Sequence, residues 1–340
     1  MGLLVGTYNT EVTGILVTLD TIESVVDEAI AKKCNLIVSF HPIIFNGLKK
    51  INDNSYVERV VTKAIKNNIA IYSMHTALDN VKEGVSGKMA EILDLKNCQI
   101  LVSKANTIKK LTTYVPLKDA ERVRTTLFEA SAGNIGNYDN CSFNVAGKGT
   151  FKANENANPT IGLKGQLHTE NETQINVTFQ SHLEANILKT LFEVHPYDEV
   201  AYEITGLFNK NQKIGMGVVG TLEAPIKATK FLNILAKKFN AKGIRHSKLS
   251  DKNISKVAVL GGSGSFAIDA AKRAKADVYV TADLKYHDFF KAENKVLLVD
   301  IGHFESEQFT KNLIVDYLTK KFLNFAIILS ETNTNPITYF

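Results

Sequence analysis

Cysteine is scarce in this chain. Cys34, Cys98 and Cys141 are odd in number, far apart and form no C-x-x-C pair. That pattern excludes a disulfide framework or a zinc knuckle and fits reduced, mostly buried thiols of a cytoplasmic protein. Long apolar runs are missing too, since none approaches the ~20 residues needed to cross a bilayer. The opening MGLLVGTYNTEVTG has no basic segment followed by an apolar core, so it does not read as a secretory signal. Nor is charge of one sign in large excess. The 40 Lys+Arg against 35 Asp+Glu give +5, too mild and too diffuse to imply nucleic-acid binding. Short-period repeats and low-complexity segments are likewise absent. What remains is 44% hydrophobic and 22% charged residues over 340 positions, a core-forming chain of about two domains' length.

The hydrophobic pattern divides the chain into three stretches. In the first, residues 1–105, helices alternate with short buried strands. Thr21–Lys33 places Ile22, Val25, Val26, Ala29 and Ile30 on one helical face, with Asp20 and Glu23 as its cap. The apolar run Asn35–Phe40 ends at His41-Pro42, where a helix is disfavoured. A helix over Ser55–Lys66 and a strand over Ile69–Met74 follow. Continuous apolar strands between amphipathic helices predict a mostly parallel sheet covered on both faces.

The middle stretch, 106–210, changes rhythm. A strand at LTTYVP precedes a helix over Asp119–Ser131. Strand-like segments around Cys141–Phe151, Gly162–His168 and Ile175–Gln180 then lead to a helix over Leu183–Val194 and the strand EVAYEI. Strand–helix–strand twice over is the split, ferredoxin-like α+β pattern. From 211 to 340 the first rhythm returns, with a helix over Lys227–Phe239, strands KVAVL, DVYVT and KVLLVDIG, a long helix from His303 to Phe322 and strand NFAIILS. The expected architecture is one split α/β core interrupted in sequence by an α+β insert.

Three histidines share one context, the junction just after a buried strand: His41 follows NLIVSF, His75 follows IAIYSM, and His303 follows VLLVDIG. The carboxyl ends of strands line the ligand crevice of open parallel sheets. His75 and Asp79 are four residues apart, as are His303 and Glu307, a spacing that puts imidazole and carboxylate on one helical face. A single strand-end histidine is more often a hydrogen-bonded or capping residue than a ligand, but the shared topology favours a metal. Mixed nitrogen and oxygen donors suit zinc, iron(II), manganese or cobalt, and such ions generate a hydroxide nucleophile near neutral pH. His168, His182 and His246 lack partners at useful spacing, and His195-Pro196-Tyr197 reads as a turn.

TADLKYHD, following strand DVYVT, brings Asp283, Lys285, Tyr286 and His287 toward the same crevice. They offer second-sphere bonds or a general acid or base, with Lys285 and His287 as catalytic candidates; the alternative is a loop packed over the sheet edge. Gly215-Met-Gly217-Val-Val-Gly220 matches G-x-G-x-x-G but sits inside an apolar strand rather than before a helix, so no dinucleotide site is assigned. Gly261-Gly262-Ser263-Gly264-Ser265 lies between strand and helix and fits either an anion cradle or tight packing.

At SFHPIIFNGLKKI, IYSMHTALDNVKEGV, GMGVVG, VAVLGGSGSF, ADVYVTADLKYHD and GHFESE the chain resembles the NGG-interacting-factor-three-like family, whose bacterial members are labelled GTP cyclohydrolase I type 2 homologues. The stretch ending VHPYDEVAYEI is similar to the PII/CutA-like insert of the longer bacterial members, and NTNPITYF also fits. The resemblance implies a metal-binding α/β core in halves 1–105 and 211–340, a PII/CutA-like insert at 106–210, a dinuclear site and a homohexamer. Its ligand motif falls on His41, Asp79, His303 and Glu307, with His75 close by.

Many bacterial members carry His-His-Pro where this chain has Phe40-His41-Pro42. Phenylalanine cannot coordinate, so a second ion is expected to bind weakly or through water. Relatives also begin earlier than GLLVG, which implies that the family's first element is missing. The function implied is a metal-dependent hydrolase of a nucleotide or other small substrate, using one or two zinc, iron or manganese ions per chain. The alternative is a non-catalytic metal-binding or regulatory protein whose insert senses a ligand or sets assembly.

Overall fold

In the computed structural model, which describes residues 2–340, the apolar run before His41 forms the strand Leu36–Ser39. It pairs in parallel with Ile15–Thr18 on one side and Ala70–Ser73 on the other. Ile327–Leu329 extends the sheet in parallel beyond Ile15–Thr18, and Gly2–Val5 closes the opposite edge antiparallel to Ala70–Ser73. Alternation sends Leu16, Ile37 and Ile71 to one face, where Val25, Val26, Val60, Val61 and Ala64 of the helices Glu23–Ala31 and Tyr56–Lys66 cover them. Val17 and Val38 face the other way, into a second cluster with Phe40, Val85 and Ile314. Burial on both faces is why these strands read as unbroken apolar runs.

The expected single sheet is two. The second is six-stranded and mixed, in the order Arg245–His246, Leu297–Asp300, Val278–Ala282, Asn253–Ser263, Gly215–Lys227 and Lys96–Ser103. Its three central strands with apolar runs are parallel, while Gly215–Lys227 and Arg245–His246 join antiparallel. Phe231, Leu235 and Phe239 of the helix Ala228–Lys238 fill one face against Val257, Val259 and Val280. Ala267, Ile268 and Ala271 fill the other, against Ala258 and Leu298. A strand buried on both faces carries no mark of which sheet it joins, so strand pattern alone does not separate one sheet from two.

Two local expectations also change. The helix expected over His303–Phe322 breaks into His303–Glu307 and Thr310–Lys321. Between them Gln308 donates to the Phe239 carbonyl at 2.8 Å and Phe309 packs on Phe239, so the first turn is aimed independently of the second. The first helix starts after Ile22 with no side-chain cap. Asp20 is engaged elsewhere, as described below.

The chain forms two compact units, one from the residues up to Val102 with Lys213–Phe340, the other Ser103–Gln212. Both sheets above belong to the first. In the second, the order is strand Ile108–Pro116, helix Ala120–Glu129, strands Ser142–Lys152 and Leu167–Gln180, helix Glu184–Val194 and strand Tyr202–Leu207. Their antiparallel sheet runs Ser142–Lys152, Leu167–Gln180, Ile108–Pro116, Tyr202–Leu207. The segments around Gly162–His168 and Ile175–Gln180, expected as separate strands, end in one strand, Leu167–Gln180, paired along its whole length with Ser142–Lys152 or Ile108–Pro116. Leu111, Val115, Ile175 and Val177 pack on Val123, Leu127, Ile187 and Leu191 of the two helices.

One carboxylate pins the C-terminal segment of the first unit. Glu28 accepts from Ser330 Oγ and Thr332 Oγ1, both at 2.6 Å, and from the Glu331 backbone N–H at 2.9 Å, beside Lys32 Nζ at 2.9 Å. Burial works against its charge, but these donors outweigh it and lower its pKa to about 2 from 4.5. Glu28→Gln is expected to destabilise the fold by about 1–2 kcal/mol in urea titration, the scale of hydrogen bonds to a charged acceptor. A depressed carboxylate contributes fully above its unfolded pKa and loses that contribution as pH falls through the folded one. The gap between wild type and variant should therefore close between about pH 4.5 and pH 2; a gap that is constant over that window would remove Glu28 from this role.

Candidate metal centre

The carboxyl ends of strands from both sheets of the first unit meet at one cavity of ≈ 690 Å³. From the first sheet, the Leu36–Ser39 strand delivers His41, and Ala70–Ser73 leads into the short helix His75–Asp79. The two exits are tied together, since the backbone N–H of His75 donates to the Phe40 carbonyl at 2.9 Å. From the second sheet, Leu297–Asp300 leads through Gly302 into the helix His303–Glu307. Gly302 has φ +95°, a left-handed turn that an L side chain rarely adopts.

His41, His303 and Glu307 bring one ligand atom each to a common point. Glu307 Oε2 lies 3.0 Å from His41 Nε2 and 3.1 Å from His303 Nε2, and the two imidazole nitrogens are 3.4 Å apart. Tetrahedral ligands bound at ~2.0–2.1 Å have edges of about 3.3–3.4 Å, so this triangle is of the size that an ion requires. Glu307 is only 4% exposed, and its Oε2 has no hydrogen-bond partner besides these two close imidazole nitrogens. A buried carboxylate oxygen without a hydrogen bond needs another partner. A cation among the three atoms would supply it.

The far side of each ring is held by a carboxylate. His41 Nδ1 meets Asp20 Oδ1 at 2.7 Å, and Asp20 Oδ2 accepts from Thr334 Oγ1 at 2.7 Å. His303 Nδ1 meets Asp283 Oδ2 at 2.6 Å, and Ser263 Oγ donates to the same oxygen. Committing Nδ1–H to a carboxylate leaves the Nε2 lone pair for a metal, as metal-ligating histidines almost always show. Asp283 stands among the residues that TADLKYHD suggested for this purpose. Asp20, whose sequence context is that of a helix cap, likewise follows a buried strand, Ile15–Thr18, the same signal that marks the histidines.

The electrostatics are those of a crowded, partly dry site. Burial pulls His41 down, but Asp20 and then Glu307 outweigh it and raise its pKa to about 9. Asp283 and Glu307 raise His303 to about 10 against burial. Burial opposes ionisation of Glu307, yet His303 and His41 hold its pKa below the ordinary value. Asp79 is raised to about 7 by burial and the Glu307 charge, against the pull of the two imidazoles. Burial and the charge of His41 lower His75.

The other suggested residues are placed as follows. His75 and Asp79 line the same cavity but lie outside the converging triad. Phe40 is fully buried, its ring 4.9 Å from that of His41 and 5.4 Å from that of His75. Lys285 and His287 are exposed and are not among the cavity's lining residues; His287 instead contacts Tyr286 and Phe290. The Gly261–Ser265 turn spends its backbone on packing, with the N–H of Gly262 donating to Ser306 Oγ at 2.9 Å and that of Gly261 to Ser86 Oγ at 3.4 Å. Gly215–Gly220 lies within a strand.

Residues 1–336 match the family model Duf34/NIF3 (NGG1p interacting factor 3). The chain belongs to the Duf34/NIF3 family. Among curated relatives, a Bacillus subtilis (strain 168) protein called GTP cyclohydrolase 1 type 2 homolog is 39% identical over 346 residues, covering 100% of this chain and 92% of the relative. A protein of the same name from Halalkalibacterium halodurans is 36% identical, covering 99% and 92%. A solved Bacillus cereus protein related to NIF3 superposes with a TM-score of 0.85 at 37% identity, over 100% of this chain and 93% of that one. The Staphylococcus aureus protein SA1388 gives 0.77 at 28% identity, over 100% and 92%. No helix among the described residues of this Duf34/NIF3 chain is long and apolar enough to cross a membrane.

In this Duf34/NIF3 chain Asp283 orients a candidate ligand without being one. Asp283→Asn is expected to weaken zinc or manganese affinity by about 10–100-fold while leaving the fold intact. Competition against a coloured chelator measures this. An unchanged affinity would show that His303 is held without it.

Proposed function

We propose that this Duf34/NIF3 protein is a metal-dependent hydrolase of a nucleotide or another small heterocyclic or phosphoester substrate. The observation that supports it most is Glu307 Oε2, buried, without a hydrogen bond, and facing two imidazoles whose opposite nitrogens are already committed to Asp20 and Asp283. His41, His303 and Glu307 would hold a divalent transition metal, zinc, iron or manganese. Asp79 and His75 stand ready at the same cavity to help hold a second one, with Phe40 in place of a further ligand. An ion bound there supplies Lewis acidity and lowers the pKa of water that reaches it.

The chain's own residues would do the rest. Asp20 and Asp283 fix the two rings. Asp79 has its pKa raised to about 7 by burial and the Glu307 charge, and a second ion at the cavity would hold it as the carboxylate. Phe45 and Tyr56 line the cavity while largely exposed, offering flat faces to a ring system. The cavity's volume falls in the range of small-molecule sites, and the name carried by the curated relatives, GTP cyclohydrolase 1 type 2 homolog, agrees with a nucleotide. For the central unit, the strand and helix order and the sheet order support a ferredoxin-like, PII/CutA-like insert, and the resemblance to the family supports a homohexamer.

The test is elemental analysis of protein expressed in metal-replete medium, followed by a screen of nucleotides and phosphoesters with and without chelation. Near-stoichiometric metal and a turnover abolished by chelator and restored by zinc, iron or manganese are expected. Metal-free protein, or turnover indifferent to chelation, would sink the reading.

A further inference from the structure

The central unit holds a second cavity, of ≈ 540 Å³, lined by its own residues. It lies on the sheet face opposite the two helices. Leu111, Val115, Ile175 and Val177 face those helices, so alternation turns Tyr114, Glu172 and Gln174 to the other side. There Val145 is paired with Gln174 and Gly147 with Glu172. Gly147 and Gly149 contribute no side chains, and the sheet surface is hollow above Glu172. A Cβ on Gly149 would run into the Glu172 carboxylate, whereas one on Gly147 would meet no atom within 4 Å.

Glu172 is the unusual group. It is 7% exposed, and one oxygen accepts from Tyr197 OH at 2.7 Å. Its other oxygen makes no hydrogen bond among the described residues, yet it is not sealed from solvent, so it opens on the cavity. No lysine, arginine or histidine among the described residues is in ion-pair contact with it. The nearby imidazole, His195, is already used: Nε2–H donates to the Tyr114 carbonyl at 3.1 Å, and Nδ1 accepts the Tyr197 N–H at 3.1 Å. That pattern makes His195 the neutral tautomer. At the rim, exposed Lys148 and Lys152 are balanced by exposed Asp198 and Glu199, which leaves Glu172 to set the sign inside. Withdrawing a carboxylate from water without a cationic partner is unfavourable, and the fold supplies none.

We propose that this cavity binds a small planar organic cation with paired N–H donors, an amidinium, guanidinium or protonated amino-heterocycle, which Glu172 grips through its open oxygen while Phe151 and Ile161 cover its flat body. The open oxygen carries two lone pairs and accepts charge-assisted N–H bonds from such a group, and a buried polar anchor beside apolar side chains is the usual make-up of a small-ligand site. The proposal is independent of the metal centre, because none of the residues involved belongs to that unit.

Benzamidine is the probe, titrated into the full-length protein and followed by calorimetry and ligand-observed NMR, with benzamide as its uncharged counterpart. Saturable binding of benzamidine and at least about tenfold weaker binding of benzamide are expected, the scale of a lost charge-assisted contact. Glu172→Gln should weaken benzamidine to the same extent. Gly147→Leu, which fills the hollow at a position open to a side chain, should abolish binding without disturbing the Glu172 carboxylate. No saturable binding, equal binding of the two probes, or unimpaired binding by a folded Gly147→Leu or Glu172→Gln variant would each overturn the proposal.

Discussion

Glu307→Gln is expected to strip the candidate centre of the metal proposed for it. The side chain keeps its shape, so circular dichroism and the unfolding midpoint in chelator should stay close to wild type. The charge that pairs with His41 and His303 is gone, and with it the anionic ligand of the triad. Apparent binding of about 10–16 kcal/mol for a four-ligand zinc site corresponds to about 3 kcal/mol per ligand, so affinity should fall by roughly two to three orders of magnitude. Elemental analysis of purified variant and wild type, with zinc titration under chelator competition, measures the loss. Equal metal content in the two proteins would remove Glu307 from the ligand set and take the triad with it.

Gly262→Ala is expected to damage both the fold and the site. Gly262 has φ +68°, a conformation costing an L residue about 1–2 kcal/mol. Its added Cβ would also overlap Glu307 Oε1. The surrounding backbone cannot retreat freely, because the Gly262 N–H is bound to Ser306 Oγ at 2.9 Å and its carbonyl to Thr281 Oγ1 at 3.0 Å. Strain plus displacement should cost about 2–4 kcal/mol in denaturant titration, and the shifted Glu307 should lower metal retention along with it. Gly261→Ala is a less informative control, since its Cβ would press on Val85 rather than on the carboxylate oxygens. Full stability and full metal retention in Gly262→Ala would contradict the close packing on which the site depends.

What the amino-acid order revealed was local. The four-residue spacings of His75 with Asp79 and His303 with Glu307 coincide with short helices, although the second was expected to run on to Phe322. The strands preceding His41, His75 and His303 were recognisable from their apolar runs. Long-range partners were not. Thr334 reaches Asp20 across 314 positions, and Asn335, Pro336 and Ile337 line the cavity from the last residues of the chain; no spacing announces such a return. The sequence context of Asp20, a carboxylate before a helix, is equally that of a cap and carries no sign of its contact with His41. Lys285 and His287 stand just past a strand's end, but the 3-10 turn Tyr286–Ala292 begins there and its first residues are exposed. Division into two sheets likewise depends on pairing between segments far apart, for which burial periodicity carries no information.

His41 and His303 stand 262 positions apart and rise from different sheets. Any ion they share with Glu307 therefore acts as a rivet across the seam between those sheets. A rivet of this kind makes heat resistance depend on free metal, since a ligand that binds only the folded chain raises stability by mass action. Starvation for the metal would then loosen the seam as well as silence the centre, coupling this protein's lifetime in the cell to its cofactor supply.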